Sequence, residues 1–170
     1  KMIKGFFFTL IIFISVSSSA SELVPLKNFN ILKGSIPQKN ITDEDMKIIG
    51  LRCIALTVAI KDGDFEPKIE KEKQVKKFFS LSQEVGVEFG LKAFLAAELA
   101  ESKENNLSNP YVDILEKKIP KLSTEYLKLM NESYLTNNNY FGDELLAGDI
   151  DTCGSLYLEL IKSKNETESK

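Results

Sequence analysis

The stretch GDIDTCGSLYLEL, residues 148–160, sets two aspartates, a cysteine and a glycine at the head of an apolar run. An EF-hand calcium loop needs oxygen ligands at its first, third and fifth positions, glycine at the sixth and glutamate at the twelfth. Asp149, Asp151 and Gly154 fall in that register, but Cys153 takes the fifth position and Leu160 the twelfth. A thiol is too soft a donor for calcium, and the residues after Gly154 follow a helical period. A second acidic stretch, Asp62-Gly63-Asp64-Phe65-Glu66-Pro67, has proline where the loop needs glycine. No metal site is expected.

Redox chemistry fares no better. A catalytic thiol pair is usually spaced Cys-x-x-Cys, so that one thiolate is tuned and the other resolves it. The only two cysteines, Cys53 and Cys153, stand far apart, each on an apolar helix face. The chain has no histidine, which removes Ser-His and Cys-His nucleophilic pairs, covalent haem attachment and histidine-based zinc or iron sites. No catalytic residue and no cofactor are expected. The cysteines are expected to form one disulfide, which in the chain-entropy model stabilises a loop this long by up to about 4–5 kcal/mol.

Beside the staple stand two charges on apolar faces. On a helical projection Asp149 falls among Leu145, Leu146, Cys153, Leu156 and Leu160, and Arg52 is adjacent to Cys53. With the cysteines joined, Arg52 and Asp149 come within about 4–8 Å along the helix axis, at a rise of ~1.5 Å per residue. The pair reads as a buried structural ion pair, with an anion-binding Arg52 in an interhelical cleft as the alternative. Glu84, Glu88 and Glu98 could form a carboxylate cluster, but Glu88 and Lys92 have ordinary i,i+4 spacing, and no Glu-x-x-His is present to build a di-metal bundle. They read as a solvated helix face.

The elements that must position these residues are helical. Thr42 is a hydroxyl N-cap followed by acids, and the first helix runs to Lys61, stopping at Asp62-Gly63-Asp64. Only a narrow stripe of Lys47, Gly50, Thr57 and Lys61 interrupts its apolar surface. The second helix is expected from about Pro67 to Ser102, packed through Val75, Phe78, Ser82, Val85, Phe89, Ala93, Ala96 and Ala100. Gly86 and Gly90 lie on or beside that seam and are expected to permit close helix approach, with Val87, Leu91, Phe94 and Leu95 as a second flank. The third opens at Ser108-Asn109-Pro110, with a kink or short break near Lys118 caused by Pro120, and its apolar face holds Ile119, Leu122, Tyr126, Leu129 and Met130. Asn137-Asn138-Asn139 makes the turn into a fourth helix ending near Ser163. Gly50, Ala55 and Gly154 are expected to supply the small side chains that let the cysteine-bearing helices meet. The remaining aromatic residues read as core.

Together these give an all-α, four-helix-bundle-like domain with an extended N-terminal arm and one interhelical disulfide. The divisions expected are a signal peptide at 1–20, the arm at 21–41, the helical domain at 42–164 and a polar tail at 165–170. The signal reading rests on Lys1 and Lys4, an apolar run over residues 5–16, and Ser18-Ser19-Ala20 as a cleavage site, with Met2 the expected initiator. A run this short rises about 18 Å as a helix against a hydrocarbon core of about 30 Å, too little for a membrane span. Removing Lys1 and Lys4 takes Lys+Arg from 22 to 20 against 25 acidic residues, a net charge of −5. That balance argues against nucleic acid and anionic membranes as partners. Asn-x-Ser/Thr triplets at Asn40, Asn106, Asn131 and Asn165 read as chance matches in a chain whose Lys, Asn and Ile bias suits an AT-rich bacterial genome. The function expected is that of a periplasmic or secreted, non-catalytic protein acting by binding another protein, of the inhibitor, chaperone or immunity type. The alternatives are a small apolar or anionic ligand held between helices, and after that a carboxylate-dependent enzyme.

Overall fold

A computed structural model of the chain describes residues 42–96, 99–100, 103 and 110–168. The signal segment, the arm, Glu98 and the Ser108-Asn109 cap lie outside the described residues. Among those described, all regular structure is helical. Helix α1 spans Asp43–Asp62, a 3-10 turn spans Glu66–Lys71, and α2 and α3 span Lys73–Val85 and Val87–Phe94. A short α4, Pro110–Asp113, passes through a π-helical turn, Ile114–Lys118, into α5, Ile119–Asn137, and α6 spans Glu144–Glu168.

Local chemistry accounts for the helix ends. Thr42 Oγ1 accepts from the Asp45 amide at 3.1 Å while Asp45 Oδ2 accepts from the Thr42 amide at 3.1 Å, a reciprocal capping box. Gly63 closes α1, its amide donating to Ala59. The left-handed Asn138 (φ 54°) closes α5, and Asp143 caps α6 by accepting from the amides of Leu145 and Leu146. Both helices that carry the cysteines are therefore fixed at their N-terminal ends by side-chain caps.

Packing corrects several expectations. The expected long second helix is broken at Gly86, whose φ of 74° and ψ of 149° only glycine adopts readily. The break also resets the helical phase. Val75, Phe78, Ser82 and Val85 are buried as expected, but Phe89, Ala93 and Ala96 turn outward; of the expected second flank Leu91, Phe94 and Leu95 are buried, with Gly90, while Val87 is exposed. Pro67 opens the 3-10 turn rather than an α-helix. The polar stripe on α1 is not a solvent face. Gly50 and Thr57 are buried, Thr57 donating its hydroxyl to the Cys53 carbonyl at 3.0 Å, so the stripe reaches solvent only at its ends, at Lys47 and Lys61. Around Pro120 the chain stays helical: the ring, which brings no N–H and crowds the preceding turn, is taken up by the wide π turn, where the Ile119 amide reaches back to Ile114. The expected tail at 165–170 is helical as far as Glu168.

Helix α1 lies along α5 and against α3, while α2 lies along α6. These two associations form a bundle-like core around α1, where nearly every side chain from Ile49 to Ile60 is buried. Contact between α1 and α6 is less extensive, and the Cys53–Cys153 disulfide crosses there with its Cα atoms 5.3 Å apart. The glycines expected to permit that approach serve other neighbours. A Cβ on Gly50 would stand 2.1 Å from Phe94 of α3, and one on Gly154 would face Phe78 of α2 at 3.7 Å.

Candidate functional site

Arg52, in the middle of α1, Tyr126 on α5 and Asp149 on the second turn of α6 meet one turn from the disulfide. All three are at most 5 % exposed. The Arg52 Nη2 group is ion-paired with Asp149 Oδ2. Arg52 Nε donates to the Tyr126 hydroxyl at 3.0 Å, and that hydroxyl donates in turn to Asp149 Oδ2. The tyrosine closes a triangle, accepting from the cation and donating to the anion. An isolated charge in an apolar core costs several kcal/mol of solvation, which a planar guanidinium offsets only by placing its donors on fixed acceptors. Burial, with the negative Asp149 adding to it, pushes the Tyr126 hydroxyl well above the usual phenol range, against the opposing pull of Arg52. The phenol stays protonated and holds its bridge.

Arg52 and Asp149, singled out in the sequence, are thus brought together as an ion pair, and an open anion cleft at Arg52 is not what the described residues form. Sequence reasoning missed Tyr126, which read only as core. The available signal was its hydroxyl: a tyrosine on a buried helix face needs a polar partner, and the Arg–Asp pair on neighbouring helices supplies one. A second buried tyrosine, Tyr157, stacks on Phe78 with centroids 5.8 Å apart and approaches the Thr57 hydroxyl at 3.4 Å. Burial likewise raises its pKa, opposed by the Thr57 contact.

The other candidate chemistry is dispersed. Helical geometry turns Asp149 inward and Asp151 outward, so the two cannot share a calcium ion. Glu84 and Glu88 are exposed, and Glu88 pairs with Lys92 at 2.6 Å. That lysine holds the Glu88 carboxyl below its usual pKa. Among the described residues no three Asp, Glu, Cys or His side chains are grouped to hold a metal ion. No described helix is long and apolar enough to cross a membrane.

Among the described residues, two of the solvent-facing grooves lie close to these elements. One, of about 160 Å³, runs between α2 and α6 beside Phe78, Asp151 and Gly154. The other, of about 520 Å³, lies between the 3-10 turn and the α5–α6 loop. In its wall the Lys68 ammonium stands 4.6 Å from the Phe65 ring centroid and 4.5 Å from that of Tyr140. Tyr134 stacks on Tyr140 with centroids 4.3 Å apart, and is 42 % exposed rather than core. The loop is tied down, since Ser133 donates to the Asn139 carbonyl at 2.7 Å and Asn139 Oδ1 accepts from the Phe141 amide at 2.9 Å. Comparison with protein-family models gives no match, and no curated protein or solved structure matches the chain.

Proposed function

We propose that this is an exported, non-catalytic helical protein that works by binding another protein, as an inhibitor, chaperone or immunity factor does. The observation that carries the reading is a division of labour between core and surface. The polar groups best suited to chemistry, Arg52, Tyr126 and Asp149, are consumed in one another inside the core. The surface instead presents large apolar side chains, with Tyr134 at 42 % and Leu135 at 83 % exposure. An exposed tyrosine beside an exposed leucine on a well-capped helix end offers a partner an apolar anchor with a hydroxyl at its tip. Export rests on the signal-like residues 1–20 and is consistent with a disulfide, which oxidising compartments maintain.

A small-ligand role has one observation in its favour, the groove of about 520 Å³, a volume within the range of ligand sites. It is open rather than enclosed, which suits a partner's surface better than a sequestered molecule. The test is capture from the native extracellular or periplasmic fraction with immobilised protein, compared with a Leu135→Asp variant. A protein retained by the wild type and lost at least tenfold on the variant is expected. Equal retention on both would place the contact elsewhere, and no specific protein in any fraction would overturn the reading.

A further inference from the structure

The groove between the 3-10 turn and the α5–α6 loop has an uneven charge arrangement. Four ionised side chains line it, Lys68, Glu70, Lys71 and Glu72. Of the two acids, Glu70 is ion-paired with Lys76 at 2.6 Å, and Glu72 accepts from the neutral Asn139 amide group at 3.5 Å. The two lysines have no carboxylate partner among the described residues. Lys68 lies over the faces of Phe65 and Tyr140, which supply no carboxylate, and its side chain and that of Lys71 are exposed. The groove therefore offers two lysines without a carboxylate partner, one of them resting on aromatic rings, beside a stacked tyrosine pair on a chain whose overall charge is −3.

We propose that this groove docks an acidic segment of the partner protein, whose carboxylates meet Lys68 and Lys71 while an apolar side chain meets the part of Tyr140 that lines the groove between its contacts with Tyr134 and Lys68. Charge complementarity selects the segment, since each ammonium offers donors to carboxylates, and charge-assisted hydrogen bonds are about twice as strong as neutral ones. The aromatic wall supplies apolar area that a free inorganic anion could not use. The groove is also rigid, because the loop is held by Ser133 and Asn139 and the turn by Phe65, so little ordering is needed on binding. The inference rests on the protein-binding reading and names the chemistry of the partner.

The test uses the full chain and three labelled synthetic peptides, one combining Asp/Glu with Phe, one with those acids replaced by Asn/Gln, and one with them replaced by Lys. Fluorescence anisotropy should show saturable binding of the acidic peptide alone, weakened at least tenfold between ~20 mM and ~500 mM salt as screening grows. Lys68→Glu with Lys71→Glu should lose the acidic peptide and take up the lysine peptide. Both side chains are exposed, so folding is checked simply by circular dichroism. The single Lys71→Glu leaves the ring contacts of Lys68 intact and should weaken binding by several-fold. Equal binding of the acidic and neutral peptides, no binding of any peptide, a small aromatic carboxylate binding as tightly as the peptide, or self-association through this face in sedimentation would each overturn the proposal. If the peptides fail while Leu135-dependent capture persists, protein binding stands and only the groove assignment falls.

Discussion

Arg52, Tyr126 and Asp149 matter at the level of single residues because each is costly without the others. Replacing Arg52 by Met leaves a buried carboxylate and a phenol without their cation, and is expected to destabilise by about 3–5 kcal/mol. Adding Asp149→Leu removes the orphaned charge, and the double variant should recover much of that loss in urea unfolding. Additive losses would mean that the two are not coupled. Tyr126→Phe should cost about 1–3 kcal/mol, since it strips a bridge from both charges. The tyrosines also set a pH dependence. Tyr126 and Tyr157 have pKa values raised by folding from an ordinary value of 10.0. The folded state then holds protons that the unfolded chain releases, so their contribution is complete below pH 10 and falls as pH rises above it. Alkaline unfolding followed by circular dichroism should begin to steepen near pH 10, and Tyr157→Phe should shallow that slope relative to wild type.

Among the elements, the glycines differ sharply in what they do, and each makes a different prediction. Gly86 sits at φ 74° with open space around it, so Gly86→Ala meets backbone strain alone and should cost about 1–3 kcal/mol. Gly50 is the reverse case, an ordinary helical residue whose absent side chain is filled by the Phe94 ring. Gly50→Ala should force α1 and α3 apart at a cost of about 1–3 kcal/mol despite alanine's better helix propensity. Gly90 would bring its Cβ no closer than 3.6 Å to any neighbour. Gly90→Ala should be neutral or stabilising by up to about 1 kcal/mol, and thermal denaturation of the three variants separates the cases. The spacing of small residues along a helix showed where close approach was possible. It could not show which neighbour would arrive, because that depends on the phase after Gly86. Past the positive-φ Gly86 the expected Phe89–Ala93–Ala96 seam is lost, and α3 packs through Gly90 and through Leu91, Phe94 and Leu95 of the expected second flank.

For the whole molecule, the disulfide and the buried triad act on the same junction. Arg52 and Tyr126 belong to the α1–α5 association and Asp149 to α2–α6, so both links hold together parts that otherwise touch less extensively. Peptide mapping of non-reduced protein by mass spectrometry should recover Cys53 linked to Cys153, and two free thiols would sink the account. Reduction should lower unfolding stability by up to about 4–5 kcal/mol in the chain-entropy model, and should be slow in the folded state because both sulfurs are fully buried. By itself the sequence determined the all-helical class, the ends of α1, the α5–α6 turn at Asn138, the cysteine pairing and the approach of Arg52 to Asp149. These follow from local capping, from helical period and from there being only two cysteines, none of which needs a neighbour to be specified. Only the tertiary structure decided that Tyr126 completes the charge cluster, that Gly50 and Gly154 face α3 and α2 rather than each other's helix, and that Lys68, Tyr140 and Tyr134 gather at one groove. Those outcomes depend on how helices rotate and dock, and packing of side chains distant in the chain sets that rotation.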